Sequence, residues 1–176
     1  MHVKAKKIAF LGMLSAIAVL LITFGTIFEA STLFFICAAS FCVGIADREW
    51  GIRYGGIFLI TSVFVALIIA PNKIYCFTYA VMGLYLWLSE ILWEKISLSE
   101  RKNKMFILWA GRYLIFNVIY IPILIFFPSL IIAKKIETGM LFILIVAGQA
   151  GVFIFEKAHE YFQRFLWEKI RRNMIK

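Results

Sequence analysis

Six apolar stretches separated by short polar segments make up most of the chain, at about 8–24, 27–46, 54–70, 74–93, 105–127 and 139–155. Each approaches the roughly 20 residues a helix needs to cross the hydrocarbon of a bilayer. Lipid offers no water to backbone N–H and C=O groups, so such stretches fold as helices, and the alternation of a barrel strand is absent. The pattern predicts an all-α polytopic membrane protein, a compact bundle of six transmembrane helices forming a single integral membrane domain over 1–176. Glu29, Ser31 and Thr32 blur the start of the second span. From Glu156 onward the helical pattern turns amphipathic, with Phe162, Phe165, Leu166, Ile170 and Met174 set among charges. This C-terminal extension, 156–176, is expected to bend along the inner membrane surface or to dock on a partner helix.

Composition strengthens this reading. Of 176 residues, 63% are hydrophobic and 16% charged, more apolar surface than one soluble core can hide. The net charge of +9 would point to nucleic acid in a soluble protein. Here the charges lie between the apolar stretches, where they set orientation, and no nucleic-acid partner is expected. Fifteen Lys and Arg fall in the segments on the side of the N-terminus, among them Lys4, Lys6, Lys7, Arg48, Arg53, Lys95 and the basic residues of the tail. The other side carries three, Lys73, Lys134 and Lys135. The asymmetry places both termini in the cytoplasm and favours an even number of spans in the cell membrane.

Local signals agree. Lys4, Lys6 and Lys7 precede an apolar run that reaches Phe24 without a small-residue cleavage site, so it is read as a retained first span rather than a signal peptide. Ala70, Pro71, Asn72 and Lys73 make a tight outer turn, and Pro128 closes the fifth span. Leu-Trp-Glu-Lys-Ile occurs at 92–96 and again at 166–170, where Trp and a snorkelling Lys suit the membrane interface. Cys37, Cys42 and Cys76 fit neither a disulfide framework nor a metal site and are expected to act as small apolar residues.

No catalytic motif is present. The two histidines, His2 and His159, are expected at the cytoplasmic surface, and neither an enzyme, a cofactor nor a metal is implied. Hydroxyls within the spans, such as Ser40, Thr61 and Ser62, are expected to bond back to their helices or pack at small-residue contacts.

Ionisable and amide residues at membrane depth are more informative, because each is costly without a partner or a cavity. They form two layers. Glu90 and Arg112 lie at comparable depth near the cytoplasmic ends of the fourth and fifth spans, with Glu156 at the end of the sixth, and Glu90–Arg112 is the expected structural ion pair. Tyr79, Asn117, Tyr120 and Gln149 lie near the midplane and outer half, with Asn72 in the loop above. Asn117 and Tyr120 share one helical face, and the group either lines a ligand pocket open to the outside or forms interhelical hydrogen bonds that hold the bundle. In the first span, Ala9, Gly12 and Ala16 form a small-residue pattern that admits a close helix, within the bundle or from another subunit.

The size, the six spans, the basic start Lys4-Ala5-Lys6-Lys7 leading to Gly12-x-x-x-Ala16, and the cytoplasmic ends together resemble the substrate-binding S components of energy-coupling factor (ECF) vitamin transporters. The resemblance implies a six-helix protein that takes a vitamin-like solute from the outer face. Its partners would be a transmembrane coupling subunit, docked on Gly12 and Ala16, and two cytoplasmic ATPases. Asn72, Tyr79, Asn117, Tyr120 and Gln149 would then be ligand contacts. The connection from Gly25 to Ser31 is shorter than the ligand-covering loop of that family, and no signature for riboflavin, thiamin, biotin or folate is present. The alternative is a non-transporting membrane scaffold of an envelope or cell-shape complex, which shares the size and span count. A self-contained secondary transporter fits less well, because no midplane carboxylate is available for ion coupling.

Overall fold

The computed structural model describes residues 2–98, 103–126 and 138–174, and among these every regular element is helical. The elements are α1 (His2–Ile27), α2 (Thr32–Trp50), α3 (Ile52–Ile69), α4 (Lys73–Ser97), α5 (Lys104–Phe126), α6 (Thr138–Tyr161) and α7 (Glu168–Met174). Four carry stretches long and apolar enough to cross a membrane: Ala5–Ile27, Ile52–Ile69, Lys73–Ser97 and Lys104–Ile125. The chain is therefore a helical membrane protein with four candidate spans. The expected Pro128 terminus of the fifth span and Lys134, Lys135, Arg101, Lys102 and Lys176 of the charge count lie outside the described residues.

The second stretch starts later than the hydropathy pattern indicates. Glu29–Ser31 forms a turn of 3-10 helix, and α2 then runs on through Asp47, Arg48 and Glu49. Those three charges in its last turn set α2 apart from the four candidate spans, each of which has an apolar stretch with at most two charges.

The chain forms two compact units, Met1–Ile91 and Leu92–Lys176, divided within α4. In the first, α1, α2 and α3 pack on one another. Lys7 and Phe10 near the start of α1 meet Trp50 at the end of α2, while Phe24 near the end of α1 meets Phe35 near the start of α2. The two helices are thus antiparallel. Against α4 the directions are equally clear. A side chain at Gly83 would meet Val43 of α2, Arg48 of α2 bonds Glu90, and Ser62 and Ile52 of α3 bond Tyr79 and Trp87 in the reverse order. So α4 runs parallel to α2 and antiparallel to α3, and the unit is built from helices of alternating direction.

Its turns follow from local chemistry. Gly51 alone joins α2 to α3, at φ +89°, a conformation glycine adopts without steric cost, and its N–H bonds Asp47 O at 2.8 Å. At the other end, extended Ala70 precedes Pro71 and closes α3. The Asn72 carboxamide oxygen then accepts the Ile74 N–H at 3.0 Å and caps α4, while Lys73 Nζ bonds the terminal carbonyls Leu67 O and Ala70 O of α3.

In the second unit α5 and α6 pack antiparallel. Pairs step in opposite directions along the two helices: Arg112 with Glu156, Asn117 with Gln149 and Tyr120 with the Leu144 carbonyl. Pro122 lies inside α5 and removes one backbone donor there. After Tyr161 the chain continues as a π-helical segment, Phe162–Trp167, into α7, with helical dihedrals at both junctions. The tail, expected to bend along the membrane or to dock on a partner helix, continues from α6 as a helix, one side of which, Glu156, His159, Gln163 and Trp167, is buried.

The tightest close approach in the first unit is Gly55, buried under the Asp47 carboxylate, where an added Cβ would collide with that carboxylate and approach the Asp47 Cα to 3.2 Å. Gly55→Ala is expected to lower stability in detergent by about 1–3 kcal/mol through overpacking. Gly151→Ala, where a Cβ meets nothing within 4 Å, is expected to be neutral or slightly stabilising through helix propensity. Thermal melts of the two variants check this, and an equal response would contradict it.

Candidate functional site

The polar residues within the helices have partners that spacing did not reveal. In the first unit Glu90, 5% exposed, receives two hydrogen bonds from Arg48, from Nη2 at 2.6 Å and Nε at 3.0 Å. In the second, Arg112, 2% exposed, lies 3.1 Å from Glu156 and 2.9 Å from Glu160. The expected Glu90–Arg112 pairing would join residues of different units; within its own unit each has another counter-ion. Glu156 and Glu160, four apart on one face of α6, are the signal that two carboxylates converge on one cation.

His159 also departs from expectation. It is buried, at 1% exposure, with its Nε2 3.2 Å from the Gln163 amide nitrogen one turn on. Periodicity carries this signal: Glu156, His159 and Gln163 recur at helical spacing on the face turned away from Tyr161 and Phe165.

The residues expected to contact a ligand are divided between the units. Asn72 is engaged in capping α4. Tyr79, fully buried, shares a 2.7 Å hydrogen bond with Ser62, whose hydroxyl also bonds Leu59 O. In the second unit Gln149 Nε2 donates to Asn117 Oδ1 at 2.7 Å, and Asn117 Nδ2 donates to Tyr113 O. The Tyr120 hydroxyl donates to Leu144 O at 3.0 Å, its ring lying where a side chain at Gly148 would otherwise stand. Each of the five thus makes a hydrogen bond that caps a helix or ties two helices together.

The small-residue face of α1 behaves differently. Ala9, Gly12 and Ala16 are exposed, and a Cβ built at Gly12 meets no atom within 4 Å. By contrast, side chains of the same unit fill the space beside Gly55, Gly56 and Gly83. Cys37, Cys42 and Cys76 are free thiols, the last two buried, and among the described residues no three His, Cys, Asp or Glu side chains gather to hold a metal ion.

Compared with protein-family models, curated proteins and solved structures, the chain matches none. Its class rests on the fold: a helical membrane protein with four candidate spans.

Arg112→Gln removes the cation shared by Glu156 and Glu160 and is expected to cost about 3–5 kcal/mol, the range for breaking a buried pair. Glu160→Gln, at a quarter-exposed partner, is expected to cost about 1 kcal/mol or less. Detergent unfolding of the two variants checks the ranking, and equal effects would contradict it. A double-mutant cycle of Asn117→Ala and Gln149→Ala is expected to return a coupling of about 0.5–1.7 kcal/mol, as for other interhelical hydrogen bonds in membranes. Strict additivity would mean that the amide pair holds nothing.

Proposed function

We propose that the chain is the substrate-binding membrane subunit of a multi-component importer of the ECF type, capturing a small vitamin-like solute from the outer face. Six helices cross the bilayer. Helix direction supports the two beyond the four candidates. A crossing α2 returns the chain between α1 and α3, which both start beside Trp50 and Tyr54, and α6 runs alongside α5 from Trp109 to Tyr120. Both termini lie in the cytoplasm, on the side richer in Lys and Arg.

The observation that carries this reading is the open face of α1. Ala9, Gly12 and Ala16 offer a groove at which another helix packs backbone to backbone, and no described residue fills the space beside Gly12. A transmembrane coupling subunit docks there, and its cytoplasmic ATPases supply the energy, in keeping with a sequence that carries no nucleotide-binding motif. Asn72 and Tyr79 in the first unit, and Asn117, Tyr120 and Gln149 in the second, are the candidate contacts for the solute. In the unloaded protein Asn117 and Gln149 bond one another, Tyr79 bonds Ser62, and Asn72 and Tyr120 bond backbone, and a ligand exchanges some of these for its own.

That internal pairing favours a second reading, a non-transporting scaffold of an envelope or cell-shape complex, in which the outer polar residues only hold helices together. Thermal stabilisation separates the two. One compound from a vitamin panel is expected to raise the melting temperature of the purified chain, by mass action on the folded state, and Asn117→Ala or Gln149→Ala is expected to abolish the rise. Gly12→Trp is expected to leave ligand binding intact while eliminating copurification with an ATPase-bearing complex. No ligand in the panel, together with copurification of envelope-assembly proteins only, would establish the scaffold.

A further inference from the structure

The prolonged α6 helix has a second face that the proposed function does not use. Opposite the buried stripe of Glu156, His159, Gln163 and Trp167 stand Lys157, Tyr161, Arg164 and Phe165, all exposed. Tyr161 and Phe165 lie on one side of the helix, their ring centroids 4.7 Å apart. Lys157, 53% exposed, sits over Trp109 of α5 with its ammonium 5.4 Å from the ring centroid. Of the nearby acids, Glu160 is shared between Arg112 at 2.9 Å and Lys157 at 4.0 Å, and Glu168 is exposed further along the helix. The face is therefore net positive and interleaved with aromatic rings.

Its depth matters as much as its charge. The apolar part of α6 ends at Phe155, so at about 1.5 Å per residue Lys157, Tyr161 and Arg164 stand about 3 to 14 Å beyond the hydrocarbon. The headgroup region is roughly 5–8 Å thick on each side. Trp and Tyr rings settle at that level, and ammonium and guanidinium groups there meet lipid phosphates. We infer that Trp109, Lys157, Tyr161 and Arg164 form a binding surface for anionic phospholipid headgroups in the leaflet that faces the chain's termini. The surface grips the boundary lipid from the outward side of the helix, while the buried side keeps the helix on the protein. The inference uses the placement of α6 as a span, and it is independent of whether a solute is bound or a coupling subunit docked.

The test uses the full chain in nanodiscs of phosphatidylcholine alone or mixed with an equal part of phosphatidylglycerol. Both leaflets are then identical, so orientation does not enter. The melting temperature is expected to be higher by about 4 °C or more in the mixed lipid, and the gain should shrink as salt screens the contact. Lys157→Gln combined with Arg164→Gln is expected to melt like the parent in phosphatidylcholine and to lose the gain. Arg164→Lys alone should retain most of it. A parent without the gain, a double variant that keeps it, or an equal gain from soluble glycerophosphate would each overturn the inference. So would a double variant that keeps the lipid preference and loses only a copurifying protein, which would make the face a protein dock.

Discussion

Everything in this fold answers to the cost of an unsatisfied polar group where no water can reach it. The backbone meets that demand by forming helices, and the side chains meet it by pairing. Charges are consequently confined to the ends of the apolar stretches, and the buried ones are held there by counter-ions from a neighbouring helix: Glu90 by Arg48, Arg112 by Glu156 and Glu160. Such pairs add little net stability over apolar substitutes, because desolvation consumes most of the Coulomb gain. Their effect is on register. A slide of α6 along α5 by one turn would separate Arg112 from Glu156 and part the Asn117–Gln149 amides at the same time.

The helices were legible in the sequence because hydrophobicity is a local property. The apolar runs located α1, α3, α4 and α5, and Pro71 and Asn72 located the α3–α4 turn. Pairing was not legible, because it depends on which helices lie side by side and in which direction. Equal depth therefore joined Glu90 to Arg112, while Arg48, placed among the loop charges, was passed over. The same ambiguity covered the outer polar group: spacing alone could not tell a pocket from a brace, whereas the bonds of Tyr79 to Ser62 and of Asn117 to Gln149 are those of a brace in the unloaded protein. His159 was misplaced because two histidines near charged residues read as surface. The helical recurrence of Glu156, His159 and Gln163 was the available clue.

Glycine usage separates inward from outward faces more sharply than hydropathy does. In a bilayer both faces of a helix are apolar, so a hydrophobic stripe does not point to the core. A glycine beside a filled space does. Gly55, Gly83 and Gly148 each accommodate a side chain of the same unit, and Gly12 accommodates none. Lipid can cover an open glycine, but a second helix covers it with closer packing. This difference supports the proposed docking on α1, and Gly151 on α6 is a second helical position left open by the described residues.

The central claim is that the chain crosses the membrane six times with both ends in the cytoplasm, and α2 is the element on which it turns. Single cysteines introduced by Phe28→Cys, Arg53→Cys, Lys73→Cys and Lys169→Cys, in a background lacking Cys37, Cys42 and Cys76, can be exposed in intact cells to a membrane-impermeant maleimide. Positions 28 and 73 are expected to label from outside, and positions 53 and 169 only after the cells are opened. Labelling of 28 and 53 from the same side, or of 169 from outside, would contradict the account.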